Sequence, residues 1–391
     1  MKKLNEKLDR FFSRTTSYDR VFTACLITLL AGILGTMAAV ITLIGGWDNL
    51  AATAKFAQLL GVVEHTYIGE TDTDAAVDAA CNALIDSLGD RWSYYMNEEE
   101  YENYQAHSAN QYTGIGITIQ SGKDGTLTVL SVAEDSPAME AGMTAGLVLT
   151  ELDGESLEGI TVSQLGERIR AADGPFTLTA LTQEGETLTF TLSAATMYSN
   201  PVAYRLLDSG IGYVDLANFD ETCADEAIAA VEDLLDQGAA GIIFDVRDNG
   251  GGYVSELTKL LDYLLPAGEI FVSVDRDGGE KVTSSDADCL ESPMAVLVNG
   301  NSYSAAEYFA AVLREYDAAV TVGQPTTGKG RSQITIPLAG GGAVHISSRR
   351  YLTPGRVDLS EQGGIVPDIV VELTDTDTQL AAAEEFLLTQ G

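Results

Sequence analysis

The amino-acid sequence predicts an α/β core with an inserted β-rich domain, a helical N-terminal region and one N-terminal transmembrane helix. Three observations carry this. From about Ala194 onward, short apolar runs alternate with amphipathic stretches of helical length, the pattern of βαβ units in a mixed sheet. Between Tyr112 and about Leu192 the chain switches to short β segments separated by turn signals. Finally, Val21 to Trp47 contains no charged residue at all.

That uncharged stretch sits between opposite charges. Residues 1–20 hold six basic side chains (Lys2, Lys3, Lys7, Arg10, Arg14 and Arg20) against three acidic ones (Glu6, Asp9 and Asp19). The run Val21 to Ile44 is about 36 Å long as a helix, enough to cross a bilayer core of roughly 30 Å. Basic residues before it and acidic ones after it place the N-terminus in the cytoplasm. The expectation is a cytoplasmic tail over 1–20, an anchor in the cell membrane over 21–46, and everything from Asp48 outside the cytoplasm. A cleaved signal peptide is the alternative, but such segments have a shorter apolar run.

The formal net charge of −36 argues against nucleic acid as a partner, since phosphate binding needs clustered Lys and Arg. It fits a strongly solvated surface. Cys25 lies in the anchor, and Cys81, Cys223 and Cys289 are scattered without metal-ligand spacing. His65, His107 and His345 are scattered too, and no HExxH occurs, which speaks against a zinc hydrolase.

Residues 47–111 read as helical, with helices at Leu50–Glu64, Thr73–Ser87 (capped by Asp74 and ended by Gly89) and Asn97–Tyr104. Residues 112–193 begin with the segments Gly116–Gln120 and Thr126–Val132 around the turn Ser121-Gly-Lys-Asp-Gly125. Ser136-Pro-Ala-Met-Glu-Ala-Gly142 follows, then Val148–Leu152 with the turn Asp153-Gly154. A helix at Val162–Ile169 and a last hairpin, Phe176–Leu181 with Thr187–Leu192, complete the segment. In that order these features resemble a PDZ domain. Gly114, Ile115 and Gly116 then occupy the place of its carboxylate-binding loop, where backbone N–H groups hold a peptide C-terminus. A plain tight turn explains the same glycines. Two positions depart from the pattern: Gly146-Leu147 replaces Gly-Asp, and Arg170-Ala171 replaces Arg-Gly.

Residues 194–374 form the expected core, with strands at Gly212–Leu216, Gly241–Val246 and Met294–Val298. Its helices fall at Ala224–Leu235, Val254–Leu264 and Ala305–Tyr316, and Ile334–Leu338 with Ala343–Ser348 make a hairpin. A helix at Gln379–Leu388 closes residues 375–391. Two strand-to-helix junctions hold the chemistry. In Asp245-Val-Arg-Asp-Asn-Gly-Gly-Gly252, glycines free the backbone to point N–H groups into a cleft. In Asn299-Gly-Asn-Ser-Tyr-Ser-Ala-Ala-Glu307, Ser304 falls at a helix N-terminus, which suits a nucleophile whose substrate becomes an oxyanion. Ser304 and Glu307 also spell S-x-x-E, a capping box that explains both residues without catalysis. Lys329 lies in Thr326-Thr-Gly-Lys-Gly-Arg-Ser-Gln333. A solvated lysine, with a pKa of about 10.4, must be desolvated to serve as a base near neutrality.

With these motifs, the chain resembles the carboxyl-terminal processing (tail-specific) serine peptidase family. The resemblance rests on Ser87-Leu-Gly-Asp90 with Tyr94 and Tyr95, the PDZ-like segment, the glycine loop, 299–307, 326–333, Arg350-Tyr-Leu-Thr-Pro-Gly-Arg356 and Gly364-Ile-Val-Pro-Asp368. These fall in the family's order over residues 50–391. The resemblance implies a crotonase-like core and an endopeptidase with Ser304 as nucleophile, Lys329 as base and Gln333 orienting the lysine. It further implies an oxyanion hole from Ala305 and Gly251 or Gly252, with Gly250 in place of the usual proline and Tyr303 at a position usually small. Substrates would be polypeptides with free C-terminal tails, and neither cofactor nor metal is required. Arg170 would couple the PDZ domain to the site. The terminal helices are candidate surfaces for a homo-oligomer. Two rivals remain: a catalytically inactive PDZ scaffold at the membrane, and an acyl-CoA enzyme on the same core.

Overall fold

The computed structural model describes residues 5–7, 9, 17–43, 45–122, 125–374 and 376–390. The chain divides into two units, residues 1–84 and 85–391. In the first, the apolar run forms α1 (Ser17–Leu43), of which Val21–Leu43 is long and apolar enough to cross a membrane, and none of it is buried in protein. Ile44 and most of the charged residues before Ser17 lie outside the described residues. Next come α2 (Leu50–Thr66) and α3 (Thr73–Asp86). The cap of α3 is not Asp74, which already belongs to the helix. Asp72 accepts the Ala75 N–H instead, at 3.0 Å. Gly89 follows the helix at φ 64, as expected of a glycine at a helix end.

The second unit opens with β1 (Tyr94–Met96) and α4 (Glu98–Ser108), held by an Asn97–Glu100 capping box. β2 (Gln111–Gly114) leads into the β-rich segment. There, β3 (Ile117–Ser121), β4 (Leu127–Val132), α5 (Pro137–Glu140), β5 (Val148–Leu152), β6 (Glu155–Ser156), α6 (Val162–Arg170), β7 (Phe176–Leu181) and β8 (Thr187–Leu192) follow in turn. Within the turn expected between β3 and β4, Lys123 and Asp124 lie outside the described residues. The sheet runs β3-β4-β5-β7-β8, with β6 on β5, around a core of its own that includes Leu127, Leu165 and Leu178. β9 (Ala195–Tyr198) pairs antiparallel with β2, so entry and exit strands close the segment at its neck.

In the remainder, β10 (Val202–Leu206), β11 (Gly212–Leu216), α7 (Cys223–Asp236), β12 (Ile242–Asp245), α8 (Val254–Leu264), β13 (Gly268–Val274), β14 (Glu280–Ser285), β15 (Met294–Val298), α9 (Ala305–Glu315) and β16 (Ala319–Gly323) alternate. Then β17 (Arg331–Pro337), β18 (Ala343–Leu352), α10 (Leu359–Gln362), β19 (Ile369–Val370) and α11 (Thr378–Gln390) complete the chain. The main sheet is ordered β10-β11-β12-β15-β16-β19; β10 is antiparallel and the others are parallel. β12 and β15 are buried at every position because helices cover both faces, which is why both read as unbroken apolar runs. Helices α7, α8 and α9 fill one side, and Ala383 and Leu387 of α11 fill the other. A second sheet, β1-β18-β13-β14 with β17 on β18, completes the unit.

Candidate active site

The parallel strands deliver three loops from their carboxyl ends to one place, the usual location of sites in open α/β sheets. After β12, Asn249 is fully buried; its amide donates to the Leu216 carbonyl at 2.6 Å and its Oδ1 accepts the Gly251 N–H at 2.8 Å. The Tyr253 N–H donates to the Phe219 carbonyl at 2.7 Å. A methyl on Gly252, which sits at φ 153, would lie 2.2 Å from the Phe219 carbonyl carbon, so only glycine fits.

The loop after β15 is laced to this one. Ser302 Oγ donates to the Val246 carbonyl at 2.6 Å, and the Asp248 carboxylate accepts the amides of Asn299 (3.0 Å) and Asn301 (2.8 Å). The Tyr303 N–H donates to the Asn249 carbonyl at 3.2 Å.

Ser304 then stands at the N-terminus of α9 with φ 59 and ψ −125, a conformation L-residues rarely adopt, and its side chain makes no capping bond. The capping box is therefore not formed. Glu307, fully buried, faces the loop after β16: its carboxylate accepts the Gly328 N–H (2.8 Å), the Lys329 N–H (2.9 Å) and the Thr326 hydroxyl. Burial raises its pKa against the pull of those donors. Ser304 thus combines a strained backbone with a hydroxyl that caps no helix.

Lys329 is buried, 8% exposed. Burial lowers its pKa to about 8, with Asp90 opposing and Arg91 reinforcing the shift. Its Nζ lies 4.6 Å from the Trp92 ring centroid and 5.9 Å from that of Tyr303. The buried hydroxyl of Tyr351 donates to the Lys329 carbonyl and lies beside Ser304, so it meets both loops.

Trp92, Tyr303, Ser304, Lys329 and Tyr351 line a single cleft of about 1380 Å³, with Gly250, Gly251, Gly252, Ala305 and Gln333. A methyl on Gly251 would lie 2.7 Å from Ser304 Cβ and 2.9 Å from the Ala305 nitrogen, so the glycine backbone abuts the serine directly. The Gly251 N–H is already engaged by Asn249, whereas the Gly252 N–H has no acceptor among the described residues. Of the two glycines, Gly252 is the one with a donor to offer. Ala305, the first helical residue, has an N–H without an intrahelical acceptor. The Gln333 amide donates to Ser347 Oγ (2.9 Å) and to the Arg331 carbonyl (3.1 Å).

Other titratable groups share the cleft. His345 has its pKa lowered to about 4 by burial and by Lys329, and its Nδ1 is bonded to Thr335 Oγ1 at 2.8 Å. Such an imidazole is too weak a base to compete with a lysine near 8. Asp220, 3.7 Å from His107, is raised to about 6 by burial, which His107 opposes and Glu221 reinforces.

Gly114, Ile115 and Gly116 lie where β2 turns into β3. The Ile115 side chain is in the core of the β-rich segment, and its carbonyl accepts the Ala138 N–H at 3.0 Å. Gly116 has φ 77, and a methyl there would come within 2.2 Å of Ser136 Cβ. Arg170 ends α6 and is exposed.

Comparison with known proteins agrees with this architecture. The profile of peptidase family S41 matches residues 210–371 and that of the PDZ domain residues 106–181. A carboxy-terminal-processing protease of Bartonella bacilliformis is 30% identical over 355 residues, covering 88% of this chain and 80% of the relative. The carboxy-terminal processing protease CtpA of Bacillus subtilis is 28% identical over 80% of this chain and 67% of its own length. Among solved structures, an S41 protease from Bacteroides fragilis superposes with a TM-score of 0.56 at 15% identity, covering 79% of this chain and 90% of that one. The photosystem II D1 C-terminal processing protease gives 0.50 at 24%, covering 85% and 90%. Fold and relatives together define a serine-type peptidase of mixed α/β architecture with a PDZ domain. The chain belongs to the carboxy-terminal-processing protease family.

The sequence offered Glu307 only as a capping partner and Tyr351 only as part of the Arg350–Arg356 motif, and it offered nothing for Trp92. Trp92 and Tyr351 come from segments distant from the serine, so no local pattern tied them to it.

Proposed function

We propose that Ser304 is the nucleophile and Lys329 its general base in an endopeptidase acting on polypeptide tails. The neutral amine of Lys329 takes the Ser304 proton as Oγ adds to the scissile carbonyl. The resulting oxyanion is met by the N–H groups of Gly252 and Ala305. On collapse, the lysine ammonium returns the proton to the departing amine and leaves an acyl-enzyme. Lys329 then deprotonates water to release the acid and regenerate the serine. Glu307 and Tyr351 hold the backbone of Lys329, and Gln333, fixed by Ser347 and the Arg331 carbonyl, orients the lysine from the strand beyond it. The observation that carries this reading is the strained, uncapping Ser304 in the same cleft as a buried, low-pKa lysine.

In the same proposal the core is crotonase-like, spans 194–374 and carries the PDZ domain at 112–193. The 110s loop receives the substrate's C-terminal carboxylate. The apolar segment 21–46 anchors the chain in the cell membrane with its N-terminus cytoplasmic. An inactive scaffold would have no need of a strained serine. The test uses the full chain in detergent micelles with denatured casein. Ser304→Ala and Lys329→Ala are each expected to reduce cleavage at least about 1000-fold without loss of fold. Retained activity in either variant rejects the assignment.

A further inference from the structure

We propose that Tyr303, seated between Gly250 and Trp92, determines which residue is accepted immediately after the scissile bond. This rests on the Ser304–Lys329 reading. A base that takes the serine proton returns it to the leaving amine, so Lys329 marks the leaving-group side of Ser304. Two aromatic rings wall that side. Trp92 and Tyr303 have centroids 5.5 Å apart, tilted by 31°, and Lys329 Nζ lies near both faces.

Neither ring is free to retreat. Trp92 is backed by the Arg91 guanidinium, 4.3 Å from its centroid. Its loop is fixed by Asp90, whose carboxylate accepts the Trp92 N–H (3.3 Å) and the Ser93 hydroxyl (2.6 Å). Ser93 Oγ in turn accepts the Ser347 N–H of β18 at 3.0 Å. Tyr303 rests on the bare backbone of Gly250: a methyl there would fall 2.6 Å from the phenol oxygen and 2.9 Å from Cζ. The ring fits because position 250 has no side chain, and it fills volume directly beside Ser304. What remains on the lysine side suits Gly, Ala or Ser and excludes branched or aromatic side chains.

The experiment uses the full chain in detergent micelles. Cut sites in denatured β-casein are mapped by mass spectrometry, and peptides spanning one site are made with Ala, Leu or Phe after the cut. The parental chain is expected to favour Ala, and the Phe-to-Ala ratio of kcat/KM is expected to rise about tenfold in Tyr303→Ala, the scale of a pocket-size effect. Gly250→Ala, which displaces the ring, is expected to change the ratio as well. A parental preference for Phe, or an unchanged ratio in Tyr303→Ala, overturns the proposal. If Tyr303→Ala cleaves none of the peptides, the ratio in Tyr303→Leu decides by the same criterion, with a rise of about threefold expected. Cleavage by Ser304→Ala would remove the premise itself, whereas an unchanged ratio beside an inert Ser304→Ala overturns the subsite alone.

Discussion

In the mechanism proposed above, acyl transfer rests on two residues, and each is held in a state its type ordinarily avoids. Ser304 occupies a backbone conformation that costs on the order of 1–3 kcal/mol, and the laced loops on either side maintain it. Lys329 has lost most of its water, which lowers its pKa to about 8. At pH 7 about a tenth of such an amine is neutral, against less than about 0.1% of a solvated lysine. With the neutral form as the proposed base, activity gains as pH rises. The expected kcat/KM on a casein-derived peptide climbs about tenfold from pH 6 to 7 and levels off above about 9. A rising limb centred near 10.4, or none, contradicts this assignment. Sequence could not resolve the serine by itself. S-x-x-E is spelled identically by a cap and by this arrangement, and only the positive φ and the turn of buried Glu307 toward the loop after β16 separate them.

At the level of elements, the site is an arrangement of loop ends. β12, β15 and α9 were legible in the sequence because unbroken apolar runs and helical periodicity are local signals. β13 with β14, and β16, were not. β14 reads Glu280-Lys-Val-Thr-Ser-Ser285, with no apolar alternation, and β16 follows α9 with barely a turn between them. Equally hidden was the bond between elements that fixes the lysine: Glu307 on α9 gripping the backbone of residues 328 and 329 across the loop after β16. Glu307→Ala leaves those buried N–H groups unsatisfied. The expected result is a loss of about 2 kcal/mol in denaturant unfolding and a fall in kcat/KM of about 100-fold. Full activity in that variant would mean that the loop is positioned by other contacts.

Across the whole molecule, one apolar N-terminal helix, a PDZ domain closed at its neck by β2 and β9, and a two-sheet peptidase core share a strongly acidic chain. Much of that order was legible because each region has its own residue pattern, from an uncharged run through short β segments to alternating strands and helices. The convergence of residues 92, 304, 329 and 351 was not, since it depends on how loops some 240 positions apart in the chain meet. That convergence is what a fluorophosphonate probe reads most directly. The chain in detergent micelles is labelled at pH 8, digested and mapped by mass spectrometry, beside Lys329→Ala. The expected outcome is a single adduct on Ser304 that is lost in the lysine variant. An adduct on another residue, or equal labelling of Ser304 without Lys329, would contradict the account.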